Sequence, residues 1–145
     1  MVATFKNNWK NILDKLRNVL RTEFGNALPI YVGHETKDVG SQYLRLDPSG
    51  STLLEYNAQS ETREFSVSIL YYSAVKDLER TALDNVTRFV SRIEAVVHDN
   101  ITLTLADSTT AYDCRMESME FNTEDDEDKY VVTWEFSCKH LGNTA

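Results

Sequence analysis

Thr62-Arg63-Glu64-Phe65-Ser66-Val67-Ser68-Ile69-Leu70-Tyr71-Tyr72 is followed, after a joint at Ser73–Lys76, by the run Asp77–Asp99. In the first stretch Phe65, Val67, Ile69 and Tyr71 fall on one side, and Glu64, Ser66, Ser68, Leu70 and Tyr72 on the other. Period-two alternation marks a strand with one face buried. At Leu70 and Tyr72 the second side turns apolar too, which predicts cover on both faces at that end. The second stretch changes period. Leu78, Ala82, Val86, Phe89, Val90, Ile93 and Val97 make one helical stripe, with Asp84, Arg88, Arg92 and Glu94 largely off it. Either Asp77 or Thr81 can cap the start, Thr81 with Asp84 in the capping-box position. His98 suits the negative C-terminal end of the helix dipole.

Upstream of this strand and helix, Thr4–Phe24 reads as another amphipathic helix. Phe5, Trp9, Ile12, Leu13, Leu16, Val19, Leu20 and Phe24 recur at steps of three and four. Thr4 is the expected N-cap, and Gly25 stands where a left-handed residue ends many helices. Such a stripe packs on a sheet or docks on a partner or a membrane surface; the predicted sheet favours packing. Leu28–His34 is a short strand with Pro29 at its start, where a missing N–H does least harm. Gln42–Asp47 and Ser51–Asn57 read as two strands around Asp47-Pro48-Ser49-Gly50, the residue signature of a type I turn. That predicts a projecting hairpin whose Tyr43, Leu44, Leu46, Leu53, Leu54 and Tyr56 need cover. Asn57–Thr62 is a further polar turn.

Downstream, Ile101–Ala106 is a strand with Ile101, Leu103 and Leu105 on the core face, and Asp107–Thr110 is a turn. Tyr112–Asn122 and Lys129–Lys139 are the last two strands, joined by the acidic run Glu124–Asp128. Tyr130, Val132, Trp134, Phe136 and Cys138 share the core face. Two registers compete for this hairpin. Pairs whose numbers total 252 would oppose Cys114 to Cys138 and Glu117 to Glu135, and a total of 250 would oppose Arg115 to Glu135. Opposed unlike charges favour the second, with two free buried thiols.

The 145 residues suit a single domain with its own core, and 41% apolar with 26% charged residues is ordinary for a globular chain. The net charge of −8 and a pI near 4.8 argue against a basic nucleic-acid footprint and against anionic membranes. No apolar run is long enough to span a bilayer, and the N-terminal residues lack a secretory core. Two Cys are too few for a disulfide framework, so a reduced cytoplasmic setting is expected. His34 beside Glu35 and Asp38 has no second His or Cys nearby to complete a metal site. Nucleophile elbows, dinucleotide glycines, HExxH and CxxC are absent, so no catalytic residue, cofactor or metal is assigned. The acidic run lacks the ligand spacing and the Gly of a calcium loop and reads as a solvated hairpin tip.

The element order predicts an α+β single domain, with two amphipathic helices packed on one face of a mostly antiparallel sheet. The N-terminal helix with Trp9, Leu28-Pro29-Ile30, the Arg63–Tyr72 strand and the helix carrying Val86, Phe89, Val90 and Ile93 resemble the tail terminator proteins of long-tailed bacteriophages. The resemblance covers nearly the whole chain as element order and texture, without a signature motif. It implies a non-enzymatic virion protein made in the host cytoplasm and placed at the tail or neck. Such proteins cap the tail tube as a ring, usually a hexamer, end tube polymerisation and meet the head connector. They need no cofactor, no membrane and no specific nucleic-acid binding, though DNA passes through the lumen. A ring needs a heterologous interface whose rotation closes. The candidate contacts are Tyr43, Arg45, Asp47, Ser49, Thr52 and Glu55 on the 42–57 hairpin, Gln59 and Glu61 in the next turn, and Asp125 and Asp126 in the acidic loop. The competing readings are another neck or head–tail joining protein, and a small ligand-binding α+β domain; the latter needs convergent polar groups that the sequence does not supply.

Overall fold

A computed structural model of the chain describes residues 6–33, 42–74, 80–124 and 129–143. Helix α1 spans Asn8–Phe24, and a 3-10 turn at Gly25–Ala27 leads to strand β1, Ile30–Val32. Strands β2 (Gln42–Tyr56) and β3 (Ser60–Ala74) follow, then helix α2 (Arg80–His98) and strands β4 (Leu103–Thr104), β5 (Thr110–Glu124) and β6 (Lys129–Asn143). The six strands form one sheet in the order β1-β2-β3-β6-β5-β4. β1 runs parallel to β2, and the other neighbours run antiparallel.

The expected arrangement, two amphipathic helices packed on one face of a mostly antiparallel sheet, is corrected by the structure. The molecule is a small α+β fold dominated by its sheet: strands take 54% of the described residues, and the sheet curls into a half-barrel. Element length explains the difference. β2, β3, β5 and β6 each have 15 residues, about 50 Å at roughly 3.3 Å per residue. α1 has 17 residues and α2 has 19, only about 25–29 Å at ~1.5 Å per residue. Helices of that length cannot layer over such a sheet; they cover part of it.

The central pair β3–β6 is unbroken from Ser60–Asn143 to Ala74–Lys129. Phe65, Val67, Ile69 and Tyr71 meet Cys138, Phe136, Trp134 and Val132, and all eight are buried. From the helices, Ile12, Leu16, Leu20 and Phe24 and then Val86, Val90, Ile93 and Val97 join them in one hydrophobic cluster. Glu94 is not turned away from the sheet as its place in the pattern suggests. Its Oε1 accepts a 3.0 Å hydrogen bond from the buried Trp134 Nε1. At the outer end, Leu70 and Tyr72 are half-buried, and Tyr72 is covered by the Tyr43 ring stacked 4.9 Å away.

β2 corrects the predicted hairpin. Asp47–Gly50 is no turn: the strand runs straight through, and its register against β3 shifts between Pro48 and Gly50. Pro48 is tolerated for a specific reason. The Leu44 N–H donates to Pro29 and the Leu46 carbonyl accepts from Gly33, so even-numbered residues here face the β1 side. β1 pairs only with Leu44–Leu46, so the missing N–H of Pro48 points past its end, where no ladder bond is lost. The real hairpin turn comes at Asn57, whose Oδ1 accepts from the N–H groups of Gln59 and Ser60, both at 2.8 Å.

The last hairpin keeps neither predicted register along its length; the total of 252 holds only at Arg115 and Met116. Its pairs total 251 at Tyr112–Lys139, 252 at Arg115–Ser137 and 253 at Ser118–Glu135, because β5 is bulged twice. Bulges bend a strand and tighten its twist, and β2 and β5, which flank the straight central pair, carry them. Cys114 falls in the first bulge; both thiols are free and buried. A shared hydrogen bond with Cys114, and then burial, push the Cys138 thiol above its ordinary range.

Smaller corrections concern the ends. α1 begins at Asn8, capped by the Asn7 side chain accepting from the Lys10 N–H; Thr4 and Phe5 lie outside the described residues. Gly25 does end the helix with a positive φ of +56°, and its N–H bonds to the Arg21 carbonyl, but its ψ of −132° lies outside the left-handed helical region expected of such a cap. α2 is described from Arg80, so Thr81 lies inside the helix, and Asp77 and Leu78 fall outside the description. The strand expected at Ile101–Ala106 shrinks to Leu103–Thr104, and Ile101 is exposed while Leu103 and Leu105 are buried. His34–Gly40 is also outside the described residues.

Candidate functional site

The candidate contact residues fall into three places. Tyr43, Arg45 and Asp47 sit on the sheet face opposite the core, near the start of β2, opposite Tyr72, Leu70 and Ser68. Tyr43 lies between Tyr72 and Tyr31, whose ring centroid is 6.0 Å away. Arg45 Nε pairs with Asp47 Oδ2 at 2.9 Å. These three are half-buried and tied to neighbours.

Ser49, Thr52 and Glu55 lie on the second half of β2, and all are exposed. Ser49 is the bulge residue, and its hydroxyl donates to Glu135 Oε1 at 2.8 Å, across the top of β3. Gln59 is in the hairpin turn, and Glu61 accepts from Arg63 Nε at 3.1 Å at the start of β3. Asp125 and Asp126 lie outside the described residues. The structure thus brings Ser49, Thr52, Glu55, Gln59 and Glu61 to one end of the sheet and leaves Tyr43, Arg45 and Asp47 toward the other.

Other residues on this strand end are more distinctive. Leu53, Leu54 and Tyr56 are 46%, 48% and 66% exposed. Their need for cover was legible in the sequence, but the cover does not come from the described part of the chain. A second exposed apolar pair, Met119 and Phe121, stands on β5. Either even-sum register places these residues off the core face; the register shift between Met116 and Ser118 turns them to the core side instead, opposite Trp134 and Val132. They stay exposed because this stretch of β5 lies at the sheet margin.

Both margins are open by the same device. Past Leu46, no described strand pairs with the outer side of β2. On β5, β4 pairs only with Thr110 and Ala111, and the Cys114 N–H reaches the Ile101 carbonyl. Beyond Cys114 that side is also without a partner strand among the described residues.

Charge on the outer face is arranged as a network. Arg115 contacts Glu64 at 3.2 Å, Asp113 at 3.0 Å and Glu117 at 2.6 Å, and Lys139 adds a 3.1 Å contact to Asp113. A separate polar cluster braces the turn before β5. Thr109 donates to Asp107 Oδ1, which leaves His140 Nε2 to donate to Thr109 Oγ1 at 2.9 Å. The Thr109 hydrogen bond holds the Asp107 carboxyl below its ordinary value, and burial holds the His140 imidazole below its own. His140 is 2% exposed, whereas Asp107 and Thr109 are half-buried, and Thr109 lines a depression of about 370 Å³ beside the Asn57–Ser60 turn.

Among the described residues no group of three or more His, Cys, Asp or Glu side chains is placed to hold a metal, and no helix is long and apolar enough to cross a membrane. A depression of about 430 Å³ between α1 and β1 is lined by Arg17, Arg21, Gly25, Asn26 and Tyr31, and among the described residues its lining includes no carboxylate, His, Ser or Cys.

No protein-family model and no curated protein sequence matches the chain. Among solved structures, a chain in the virion of a native gene transfer agent particle is similar. The match covers 92% of this chain and 93% of that one, at 14% identity and a TM-score of 0.57. A second solved chain aligns over 90% of this chain and 95% of its own length, at 16% identity and a TM-score of 0.49. At such identities the likeness to the virion chain is one of fold.

Proposed function

We propose that this protein is a non-enzymatic structural subunit of a virion, which caps the tail tube as a ring, ends tube polymerisation and offers the surface that meets the head connector. The observation that carries this reading is the fold shared over 92% of the chain with a component of the gene transfer agent virion. The resemblance of element order to tail terminators supports the finer placement. The open margins of the sheet, with apolar side chains on them, support an assembling subunit rather than a free-standing one.

The test is tube growth. Purified tail tube protein is polymerised with and without this chain and imaged in negative stain. With the chain present, tubes stop growing and carry a ring at one end. Tubes that lengthen unchanged and bear no ring overturn the tail-capping role. A chain that binds the connector but leaves tube growth unchanged belongs to the neck instead.

A further inference from the structure

The ring reading leaves open how one subunit grips the next, and the sheet margins supply an answer that rests on it. The geometry points to a second copy of this chain as the partner of both margins: the outer side of β2 past the Pro48 bulge pairs, strand to strand, with the outer side of β5 of the neighbouring copy.

Strand sense permits this. β2 and β5 are separated by β3 and β6, and the three intervening pairings are antiparallel. β2 and β5 therefore run in opposite directions. A neighbour in the same orientation brings its β5 against β2 as an antiparallel pair, and the sheet simply continues.

Face and hydrogen-bond phase agree at one pair of residues. Leu53 pairs with Arg63 and Met119 with Trp134, and both lie on the core side of the sheet. The alternation that turns Leu44 and Leu46 toward β1 carries through the bulge at Ser49 to Ser51 and Leu53, whose N–H groups face outward. On β5 the same alternation turns the Met119 N–H outward, since Ser118 and Glu120 take the ladder bonds to β6. Leu53 and Met119 can therefore face one another as a hydrogen-bonded pair with their side chains on the same side. Both side chains are exposed in the single chain, at 46% and 43%.

The offset of the two margins also fits. β1 covers β2 at its beginning, and β4 covers β5 at its beginning, so the free stretches are diagonal to each other. Traced through the sheet, Thr52 is level with Tyr112, and Ser118 is level with Asp47. Joining them staggers each copy along its strands, the shear that a closed, tilted sheet requires. An edge on one side of the subunit that fits a different edge on the other side is a heterologous interface, the kind that closes into a ring.

The test uses cysteine variants of the full chain. Leu53→Cys/Met119→Cys, treated with a short bismaleimide, is expected to give a ladder of covalent oligomers, while each single variant stays uncrosslinked. Cys114 and Cys138 are buried and do not compete. Covalent dimers from Leu53→Cys alone would mean a symmetric β2–β2 contact and overturn the inference. Leu53→Pro removes an outward N–H and no internal ladder bond, so circular dichroism is expected to be unchanged while self-association weakens by about tenfold or more. Met119→Pro repeats the test from the other margin if Leu53→Pro fails to fold. Rings from the wild type and both proline variants alike would overturn the strand pairing and leave the ring reading standing. A wild type that stays monomeric, alone and on tubes, overturns both.

Discussion

Gln42–Asp47 and Pro48–Tyr56 are halves of one strand, yet they live under different conditions. In the first half Leu44 and Leu46 are fully buried, and no residue is fully exposed. In the second every residue is exposed, including Leu53, Leu54 and Tyr56. Both halves are laddered to β3. Hydrogen bonding therefore does not distinguish them; cover does. At the level of the second half α1 reaches β3, where Trp9 packs edge-on against Phe65, but leaves the neighbouring β2 residues uncovered. The difference teaches that this chain separates the part that holds it folded from the part that remains available for contact.

The sharpest way to break that division is at the centre of the covered part. Trp134 is fully buried and bonded to Glu94, so Trp134→Ala is expected to cost about 3–5 kcal/mol in urea unfolding. A loss below about 1 kcal/mol would mean the core does not lie between α2 and the sheet. The next test compares the halves directly. Leu44→Ala is expected to cost about 2–5 kcal/mol, and Leu54→Ala in the isolated chain to stay within about 0.5 kcal/mol. Equal losses would remove the distinction.

The finest test lies where the two regions meet. His140 is buried opposite Arg63, just behind the exposed half of β2. Burial holds its folded-state pKa below the ordinary 6.5. The unfolded chain therefore takes up a proton first. The neutral-histidine contribution is complete above 6.5 and is lost as the pH falls from there through the lower folded value. Melting temperature is expected to drop between pH 7 and 5, and His140→Gln to flatten that drop. Asp107, whose folded pKa is also depressed, adds its own loss only below its ordinary 3.8. A wild-type melting temperature that does not fall over pH 7 to 5 would place His140 in contact with water.

Much of the covered part was legible because burial there follows strict periods. The stripe Ile12, Leu16, Leu20 and the alternation Phe65, Val67, Ile69, Tyr71 reach the core as read. The exposed part was misread where a local signal competed with a long-range ladder. Asp47-Pro48-Ser49-Gly50 is good turn chemistry, but β3 offers partners on both sides of it, and a bulge absorbs the mismatch. Arg115 illustrates the same point. Opposition to Glu135 favours one register in the sequence, whereas Glu64, Asp113 and Glu117 surround it in the folded chain. Of the candidate contacts, Ser49, Thr52 and Glu55 lie on the open margin of β2, while Tyr43, Arg45 and Asp47 are engaged with their own sheet. The β5 margin was missed because the register shift between Met116 and Ser118, which turns Met119 and Phe121 to the core side, has no local sequence signal.

The sequence by itself determined which residues turn inward on the long strands and the helices, because side-chain direction is fixed by backbone period and hydrophobicity is local to each residue. It determined the absence of a recognisable catalytic motif in the same way. Only the tertiary structure decided where the bulges fall, how the sheet curls and which stretches of β2 and β5 lack a neighbour. Those depend on which ladder partners each strand finds: β1 and β4 offer only 3 and 2 residues to the 15 of β2 and β5, and the register shifts arise only once the strands are paired, a long-range choice that no single stretch of sequence contains.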